Sequence, residues 1–138
     1  MKLKGAIIGC GFFSYNHMHA WKEIKNAEII AACDLDKIKV IKFSKKFNIT
    51  NYYTDIRDLL NSEKLDFVDV VTTMETHLKI AAILSKNKIA TSIQKPFAEN
   101  LTNAKKIVRL YKNTNTPLMV HENFRWQTPL MELKKIEK

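Results

Sequence analysis

Mostly apolar runs of strand length alternate along the chain with segments whose apolar residues recur at helical spacing. Runs that are apolar at nearly every position are typical of strands buried on both faces of a sheet. Five such runs occur in order: KGAIIG, AEIIAACD, DFVDVVTT, KIATSIQ and TPLMVHEN. Their strict alternation with helical segments predicts an α/β fold with a doubly wound, mostly parallel sheet.

The helical segments predict which side chains pack on that sheet. Apolar residues three or four positions apart lie on one side of a helix. Thr102, after the sequence AEN, is a candidate N-terminal cap for the fourth helix. The predicted packed faces are Phe13, His17, Ala20 and Ile24; Val40, Phe43 and Phe47; Leu78, Ile80, Ile83 and Leu84; and Leu101, Ala104, Val108 and Tyr111.

The end of the sequence predicts one more amphipathic helix over residues 129–138, with an apolar stripe formed by Leu130, Leu133 and Ile136. No later segment of this sequence covers the stripe. We therefore expect residues 1–122 to form a dinucleotide-binding domain and residues 123–138 to begin the connection to an absent C-terminal domain. The uncovered stripe also leads us to expect that the isolated chain self-associates.

Composition and charge bound the class of protein. At 138 residues and 46% hydrophobic content, the chain is long enough for one domain with a sizeable core. The net charge is +9, but among the 23 basic residues only Arg57, Arg109 and Arg125 are arginines, and no block of lysines is longer than two. Because a nucleic-acid surface needs clustered charge, the pattern favours a solvated lysine-rich surface, with nucleic-acid binding as a minor alternative.

Three features of the sequence indicate the cellular compartment and exclude some kinds of site: the cysteines, the length of the apolar runs and the spacing of the histidines. Cys10 and Cys33 lie in apolar strand-like contexts, so they are interpreted as buried thiols of a reducing compartment. No apolar run is long enough for a signal peptide or a membrane span, so we expect a cytoplasmic protein without membrane contact. We expect no metal site, because His17 and His19 lack a Cys or Asp at ligand spacing and His121 is isolated.

The stretch GCGFFS, between the first strand and the first helix, is close to the dinucleotide-binding signature G-x-G-x-x-G. Gly9 allows a tight turn, and Gly11 has no side chain to keep a pyrophosphate from the backbone. Ser14 stands at the third glycine position, where a small residue can still pack against the strand. Alone, the pattern indicates a nucleotide site weakly, because glycines between a strand and a helix can also form a simple turn.

Asp34 strengthens this indication. It ends the second strand roughly 25 residues after the glycines, where an acid hydrogen-bonds the ribose hydroxyls and repels a 2′-phosphate. The alternative role for Asp34 is that of a helix cap before Lys37. Together the glycines and Asp34 predict that the chain binds NAD in preference to NADP.

Four stretches resemble motifs of one oxidoreductase family, in the right order and at the right intervals. GCGFFSYNH is similar to the start G-x-G-x-x-x-x-x-H, and VVTTMETHLKIA to the segment V-x-T-P-P-x-x-H-x-x-I-A. QKPFAENLTNAKKIV is similar to E-K-P-L-A-x-x-x-x-E-A, and MVHENFRW to V-x-x-N-x-R-F. The combination resembles the glucose–fructose oxidoreductase, inositol dehydrogenase and MocA family.

The resemblance implies a Rossmann fold and an NAD-dependent transfer of hydride between the nicotinamide and a hydroxyl-bearing carbon of a sugar or polyol. It also implies a second domain that shapes the substrate pocket, mediates homo-oligomers and carries an Asp and a His that assist catalysis. Because this sequence lacks that domain, we expect the 138-residue chain alone to be inactive. A non-catalytic nucleotide-binding module, or a truncated gene product, stays open as the alternative.

The resemblance also assigns residues to roles. Lys95 matches the lysine of E-K-P, which implies that it is the catalytic residue that hydrogen-bonds the hydroxyl being oxidised and moves its proton. Asn123 and Arg125 match the N-x-R-F segment and are expected at the substrate, Asn123 also at the cofactor. The other implied cofactor contacts are Gly9, Gly11, Phe12, Phe13, Asp34, Thr72, Thr73, His77, Gln94 and Lys95.

Two positions depart from the family pattern. Gln94 replaces the usual glutamate, and its neutral amide can hydrogen-bond a ribose but cannot pair with a cation. Thr73 replaces a proline that follows the family's threonine. His17, on the predicted apolar face of its helix, is interpreted as a core or cofactor-adjacent histidine rather than a catalytic one.

Overall fold

The computed structural model describes residues 2–136, without the side chains of Arg125, Trp126, Leu130, Leu133, Lys135 and Ile136. Six strands form one sheet: β1 (Leu3–Ile8), β2 (Ala27–Cys33), β3 (Asn51–Tyr53), β4 (Phe67–Val70), β5 (Ala90–Gln94) and β6 (Leu118–His121). All neighbouring strands pair in parallel, in the order β3-β2-β1-β4-β5-β6. The predicted parallel, doubly wound sheet is confirmed.

Helices follow the strands: α1 (Ser14–Glu23), α2 (Lys37–Phe47), α3 (Ile56–Ser62), α4 (Met74–Lys86), α5 (Leu101–Thr114) and α6 (Thr128–Ile136), with a 3₁₀ turn at Asn123–Trp126. The first three strands run outward to one edge of the sheet, and the chain then crosses back so that β4 pairs with the other side of β1. The C-terminal ends of β1 and β4 therefore flank the point where the strand order reverses. Open parallel sheets bind their ligands at such a point.

The hydrophobic pattern did not predict β3 and α3. β3 has three residues, lies at the edge of the sheet and exposes Tyr52. It therefore lacks the continuous apolar run of a strand buried on both faces. α3 buries Leu59 and is capped by Asp55, whose carboxylate accepts a hydrogen bond from the Arg57 N–H (2.6 Å).

Alternate side chains of the strands build two apolar clusters, one on each face of the sheet. In β1, Ala6 and Ile8 belong to one cluster and Ile7 belongs to the other. Ile107 of α5 completes the first cluster, and Phe43 of α2 completes the second. β1 is therefore buried on both faces, which explains why its apolar residues are consecutive.

The predicted face of α1 is wrong in part: His17 is buried as expected, but Phe13, Ala20 and Ile24 are exposed. The helix buries Ser14, His17 and Met18, whereas Phe13 and Ile24 are 44% and 45% exposed. Phe13 is the N-cap residue and Ile24 the C-cap residue, so neither lies in the packed turns of the helix. Phe13 is instead positioned at the C-terminal edge of the sheet, where β1 ends.

The predicted face of α2 is confirmed, and that of α5 is wrong in part. Leu101 and Val108 are 69% and 38% exposed, because the packed side of α5 passes through Ile107 and Tyr111. The expected cap Thr102 is also wrong. Asn100 caps this helix through its side-chain oxygen, which accepts a hydrogen bond from the backbone N–H of residue 103 (2.9 Å).

The remaining expectations about the chain as a whole have mixed outcomes. Cys10 and Cys33 are both free and buried, and burial raises the pKa of each thiol, that of Cys33 to about 12. Within residues 2–136, no helix is long and apolar enough to cross a membrane. The predicted apolar stripe of α6, formed by Leu130, Leu133 and Ile136, lies outside the described side chains.

Candidate functional site

The turn after β1 requires glycine at its first position. Gly9 has a φ of +96°, and its N–H donates a hydrogen bond to the Cys33 carbonyl oxygen (2.8 Å). A Cβ at this position would lie 2.4 Å from the Val71 carbonyl oxygen. Conformation and space therefore both exclude a larger residue, and the turn brings together the ends of β1, β2 and β4.

Gly11 faces open space, since a Cβ there would meet no atom within 4 Å. Ser14 is fully buried, and its hydroxyl donates to the Gly11 carbonyl oxygen (2.5 Å). A serine at the third glycine position therefore still lets α1 pack closely. Within the described chain, no side chain caps the N-terminus of α1, and its first turn has no acidic residue. Such a helix end is suited to an anion.

Asp34 reaches from the end of β2 to the glycine turn. Its Oδ2 accepts a hydrogen bond from the Cys10 N–H (2.7 Å), and its Oδ1 accepts one from the Asp36 N–H (2.8 Å). The alternative role of Asp34 as a helix cap is wrong, because Asp36 caps α2 by accepting from the Ile38 and Lys39 N–H groups. Asp34 is thus held beside the turn by backbone donors.

The glycine turn and Asp34 line an open cleft of about 390 Å³ at the C-terminal edge of the sheet. A second cavity of about 300 Å³ adjoins this cleft, and its walls include the apolar side chains of Leu35, Ile56, Ile80 and Ile83. A flat ring system suits a cavity with such walls. The residues that line the cleft are Gly9, Gly11, Phe12, Phe13, Asp34, Lys39, Val71, Thr72, Thr73 and Gln94.

The cleft has further polar side chains, from the segment after β4 and from the end of β5, that are suited to binding a dinucleotide. Thr72 and Thr73 connect β4 to α4, and the Thr72 hydroxyl accepts a hydrogen bond from the Thr76 hydroxyl (2.7 Å). Gln94 ends β5, and its Oε1 is buried without a hydrogen-bond partner among the described residues. Since a buried carbonyl oxygen is unfavourable without a donor, this atom is suited to a ribose hydroxyl.

Lys95 lies next to the cleft, in a further cavity of about 290 Å³ whose other lining residues are Phe13, Asn16, His17, Ala20, Gln94, His121 and Asn123. Gln94 and Phe13 line both the cleft and this cavity, so the two adjoin. The Lys95 ammonium lies 3.9 Å from the centre of the Phe124 ring, a cation–π contact. The predicted meeting of Lys95 and Asn123 in one cavity is confirmed, and their roles in a reaction stay predictions.

His77 does not share this cavity. It is 0% exposed, with Nδ1 3.0 Å from the Phe97 carbonyl oxygen and Nε2 3.1 Å from the Thr72 carbonyl oxygen. It therefore ties the end of β4 to the segment after Lys95, and its expected convergence with Lys95 and Asn123 is wrong. A contact of His77 with the cofactor stays a prediction, and the side chain of Arg125 lies outside the described residues.

The sequence analysis did not predict that His17, Asp69 and His121 meet in the fold; we call these three residues the histidine cluster. His17 Nδ1 and Trp21 Nε1 lie 2.8 Å and 2.7 Å from the same oxygen, Oδ2 of Asp69. The ring of His121 is centred 4.3 Å from that of His17, and donor atoms of the three residues lie within 4.8 Å of one another. His121 is therefore not isolated in the fold. The sequence did contain one signal of this cluster: Asp69 is an acidic residue within the otherwise apolar run FVDVV.

Comparison with known proteins agrees with this geometry. Residues 3–122 match the Gfo/Idh/MocA model, an oxidoreductase family with an NAD-binding Rossmann fold. D-apiose dehydrogenases from Rhizobium rhizogenes and Paraburkholderia graminis are each 45% identical to the chain, over 98% and 91% of its length. The chain spans 39% and 34% of the lengths of these two relatives.

Solved structures have the same backbone arrangement. An oxidoreductase from Agrobacterium radiobacter, in complex with NAD+, L-tartaric acid and magnesium, is 44% identical with a TM-score of 0.95; the match covers 99% of this chain and 40% of that one. The WlbA dehydrogenase from Bordetella pertussis, in complex with NADH and UDP-GlcNAcA, has a TM-score of 0.94 at 22% identity, covering 99% of this chain and 42% of that one, a likeness of fold alone. The chain belongs to the Gfo/Idh/MocA oxidoreductase family and forms its NAD-binding Rossmann domain.

Proposed function

We propose that this chain is the cofactor-binding part of an NAD-dependent dehydrogenase that oxidises a hydroxyl-bearing carbon of a small sugar or polyol. The proposal rests on the fact that two spaces adjoin: the cleft beside the glycine turn, and the cavity that Lys95 lines. Gln94 and Phe13 line both spaces. A cofactor in the cleft and a substrate in the cavity would therefore be neighbours.

The chain's own residues supply the groups that bind the cofactor. The backbone of the glycine turn and the N-terminus of α1 receive the pyrophosphate. Asp34 accepts hydrogen bonds from the adenosine ribose, and its charge disfavours the 2′-phosphate of NADP. Gln94 Oε1 accepts a hydrogen bond from the second ribose. When bound, NAD+ supplies the hydride acceptor.

Lys95 moves the hydroxyl proton of the substrate. Its uncharged amine accepts that proton during oxidation, and its ammonium returns the proton in the reverse direction. The Phe124 ring, centred 3.9 Å from the Lys95 side-chain nitrogen, holds this side chain in place. Asn123, in the same cavity, offers an amide that can hydrogen-bond a further hydroxyl of the substrate.

The relatives support a small substrate that carries several hydroxyl groups. The two relatives at 45% identity are D-apiose dehydrogenases, and the tartaric acid of the Agrobacterium radiobacter structure is also a small hydroxylated molecule. The whole protein acts on a sugar or polyol of this size, as a cytoplasmic homo-oligomer. Two buried free thiols, Cys10 and Cys33, are consistent with a reducing compartment.

The experiment joins this chain to the part of the Rhizobium rhizogenes D-apiose dehydrogenase that the chain does not match, and follows NADH formation from D-apiose. Lys95→Ala is expected to lower kcat by roughly 10²–10⁴-fold, while the affinity for NAD+ is retained. Lys105→Ala, which changes an exposed lysine of α5, is the matched control. Full turnover by the Lys95→Ala protein would refute the catalytic role. Failure of the chain to bind NAD+ would refute the proposed cofactor.

A further inference from the structure

His17 is held in the wall of the Lys95 cavity by a carboxylate buried behind it. Asp69 lies on β4 and is 1% exposed. Its Oδ2 lies 2.8 Å from Nδ1 of His17 and accepts a hydrogen bond from the Trp21 indole N–H (2.7 Å), and its Oδ1 is buried without a partner among the described residues. Because a buried carboxylate is unfavourable without donors, Asp69 depends on these two side chains of α1.

The hydrogen bonds of Asp69 determine which nitrogen of His17 carries the proton. The indole N–H of Trp21 only donates, and an ionised carboxylate only accepts. His17 therefore donates from Nδ1, and the free lone pair of the neutral ring is on Nε2. Among the described side chains and backbone of residues 2–136, His17 hydrogen-bonds through Nδ1 and not through Nε2. Nε2 is thus an acceptor atom left without a donor.

This free acceptor belongs to the wall of the cavity proposed to hold the substrate. His17 is 4% exposed, and it lines the cavity of about 290 Å³ together with Lys95 and Asn123. Since Nδ1 is engaged by Asp69 in the sheet, the ring edge that carries Nε2 is the polar part of His17 available to the cavity. A ligand that reaches Lys95 therefore shares its cavity with an unsatisfied acceptor.

Two ring contacts hold the imidazole of His17 in one orientation. The His121 ring is centred 4.3 Å from it, at an interplanar angle of 50°, and the Phe13 ring is centred 6.0 Å from it in an edge contact. Both of these residues line the same cavity. Burial is the main cause that lowers the pKa of His121, so this ring is uncharged at neutral pH and adds no charge beside Nε2. An acceptor fixed in this way is preorganised for a ligand.

We propose that Nε2 of His17 binds a second hydroxyl group of the substrate, in addition to the hydroxyl at Lys95. This inference rests on the proposed function, which places a substrate in the Lys95 cavity. The substrate hydroxyl donates a hydrogen bond to Nε2, and no proton is transferred. A molecule with a hydrogen, an ether or a ketone at that position would leave Nε2 buried without a donor, so the site selects polyhydroxylated molecules over simple alcohols. The cavity volume, about 290 Å³, suits one small sugar or polyol.

The tautomer of His17 is the first test, measured by imidazole nitrogen NMR of the ¹⁵N-histidine-labelled chain at about pH 8, where an ordinary histidine is uncharged. His17 is expected to carry a proton on Nδ1 and none on Nε2. His17→Asn identifies the signals of His17, and His19→Gln, which changes an exposed histidine of the same helix, should leave them unchanged. A proton on Nε2 would overturn the inference, because the ring would then offer a donor to the cavity.

The second test uses the fusion with the D-apiose dehydrogenase segment. His17→Asn keeps an N–H group at the position of Nδ1, and with it the hydrogen bond to Asp69, but removes Nε2. It is expected to lower kcat/KM for D-apiose by about 5–100-fold and to leave the Kd for NAD+ unchanged. His17→Gln, whose amide reaches the position of Nε2, should recover part of the loss. His19→Asn is the matched control and should change neither constant.

Monodeoxy analogues of D-apiose distinguish a substrate contact from a structural role. One analogue should lose about the same factor in kcat/KM with the wild-type fusion, and His17→Asn should cause no further loss with it. Equal losses by His17→Asn on D-apiose and on every analogue would overturn the inference. So would full activity of His17→Asn on D-apiose; if Lys95→Ala were inactive in the same assay, the proposed function would still stand. If His17→Asn does not fold, the tautomer and the wild-type analogue series decide.

Discussion

A pair of glycine substitutions, two positions apart, should separate folding from cofactor binding. Gly9 has a φ of +96°, and a Cβ there would lie 2.4 Å from the Val71 carbonyl oxygen. A Cβ on Gly11 would meet no atom of the chain within 4 Å, although Gly11 lines the cleft. Gly9→Ala is therefore expected to destabilise the fold, and Gly11→Ala to leave the fold intact while occupying space that a ligand needs.

The size of each effect follows from these contacts. A strained backbone costs about 1–3 kcal/mol, and overpacking adds about 1–3 kcal/mol. The Val71 backbone cannot easily move away, because its N–H donates to the Ile8 carbonyl oxygen (2.7 Å). We expect Gly9→Ala to lower the free energy of unfolding by about 3–5 kcal/mol, out of roughly 5–15 kcal/mol for a domain. Gly11→Ala should change it by less than about 0.5 kcal/mol.

Urea unfolding followed by circular dichroism measures the first effect, and calorimetric titration with NAD+ measures the second. Gly11→Ala should weaken NAD+ binding by about tenfold or more, because its Cβ separates the pyrophosphate from the backbone. Equal losses of stability in the two variants would refute the structural reasoning. NAD+ binding at wild-type strength by Gly11→Ala would refute the position of the pyrophosphate.

Three further substitutions test other contacts. Asp34→Ser should reduce the preference for NAD+ over NADP+ by about tenfold in calorimetric titrations, and an unchanged ratio would show that Asp34 does not select the cofactor. Burial raises the pKa of Tyr111 to about 12. The folded chain therefore keeps this proton when the unfolded chain loses it, and the free energy of unfolding should fall as pH rises from about 10 to 12. Tyr111→Phe should make that fall less steep in urea melts at several pH values, but should not abolish it, because the raised thiol pKa values of Cys10 and Cys33 act in the same direction. An equally steep fall would exclude Tyr111 as a source. His77→Ala should lower the free energy of unfolding by about 2–3 kcal/mol, since it removes a fully buried ring and the ring N–H that donates to a carbonyl oxygen of Thr72 or Phe97, whereas His19→Ala should change it by less than about 0.5 kcal/mol. If His77→Ala weakened only NAD+ binding, the cofactor contact would replace the structural role.

The hydrophobic pattern predicted most of the sheet because strands buried on both faces have few polar positions. In β1, Ile7 and Ile8 point to opposite apolar clusters, so consecutive residues have to be apolar. β3 does not follow this pattern. As an edge strand of three residues it leaves Tyr52 exposed, and nothing in its sequence separates it from a loop.

The cofactor side of the site was predictable because its parts are local. Gly9, Ser14 and Asp34 belong to one strand–turn–helix–strand unit, and their contacts follow from its geometry. Lys95 and Asn123 were also predictable as neighbours, since they follow β5 and β6, which pair in parallel. The position of His77 was not predictable, because a matching motif does not reveal on which side of the first turn of α4 a side chain lies.

The buried carboxylate of Asp69 marks the limit of what the sequence can indicate. An acid within the run FVDVV predicts partners, because a charge that leaves water without hydrogen bonds is strongly unfavourable. The run does not identify those partners, since Trp21 and His17 lie 48 and 52 residues away in sequence. Only the packing of α1 beside β4, with β6 two strands further along the sheet, brings them together. In such a low-dielectric setting each of these hydrogen bonds is strengthened, and so is the effect of losing one. For that reason the isosteric change Asp69→Asn, which removes a charge and almost no volume, separates the electrostatic contribution of this cluster to stability from the contribution of its packing.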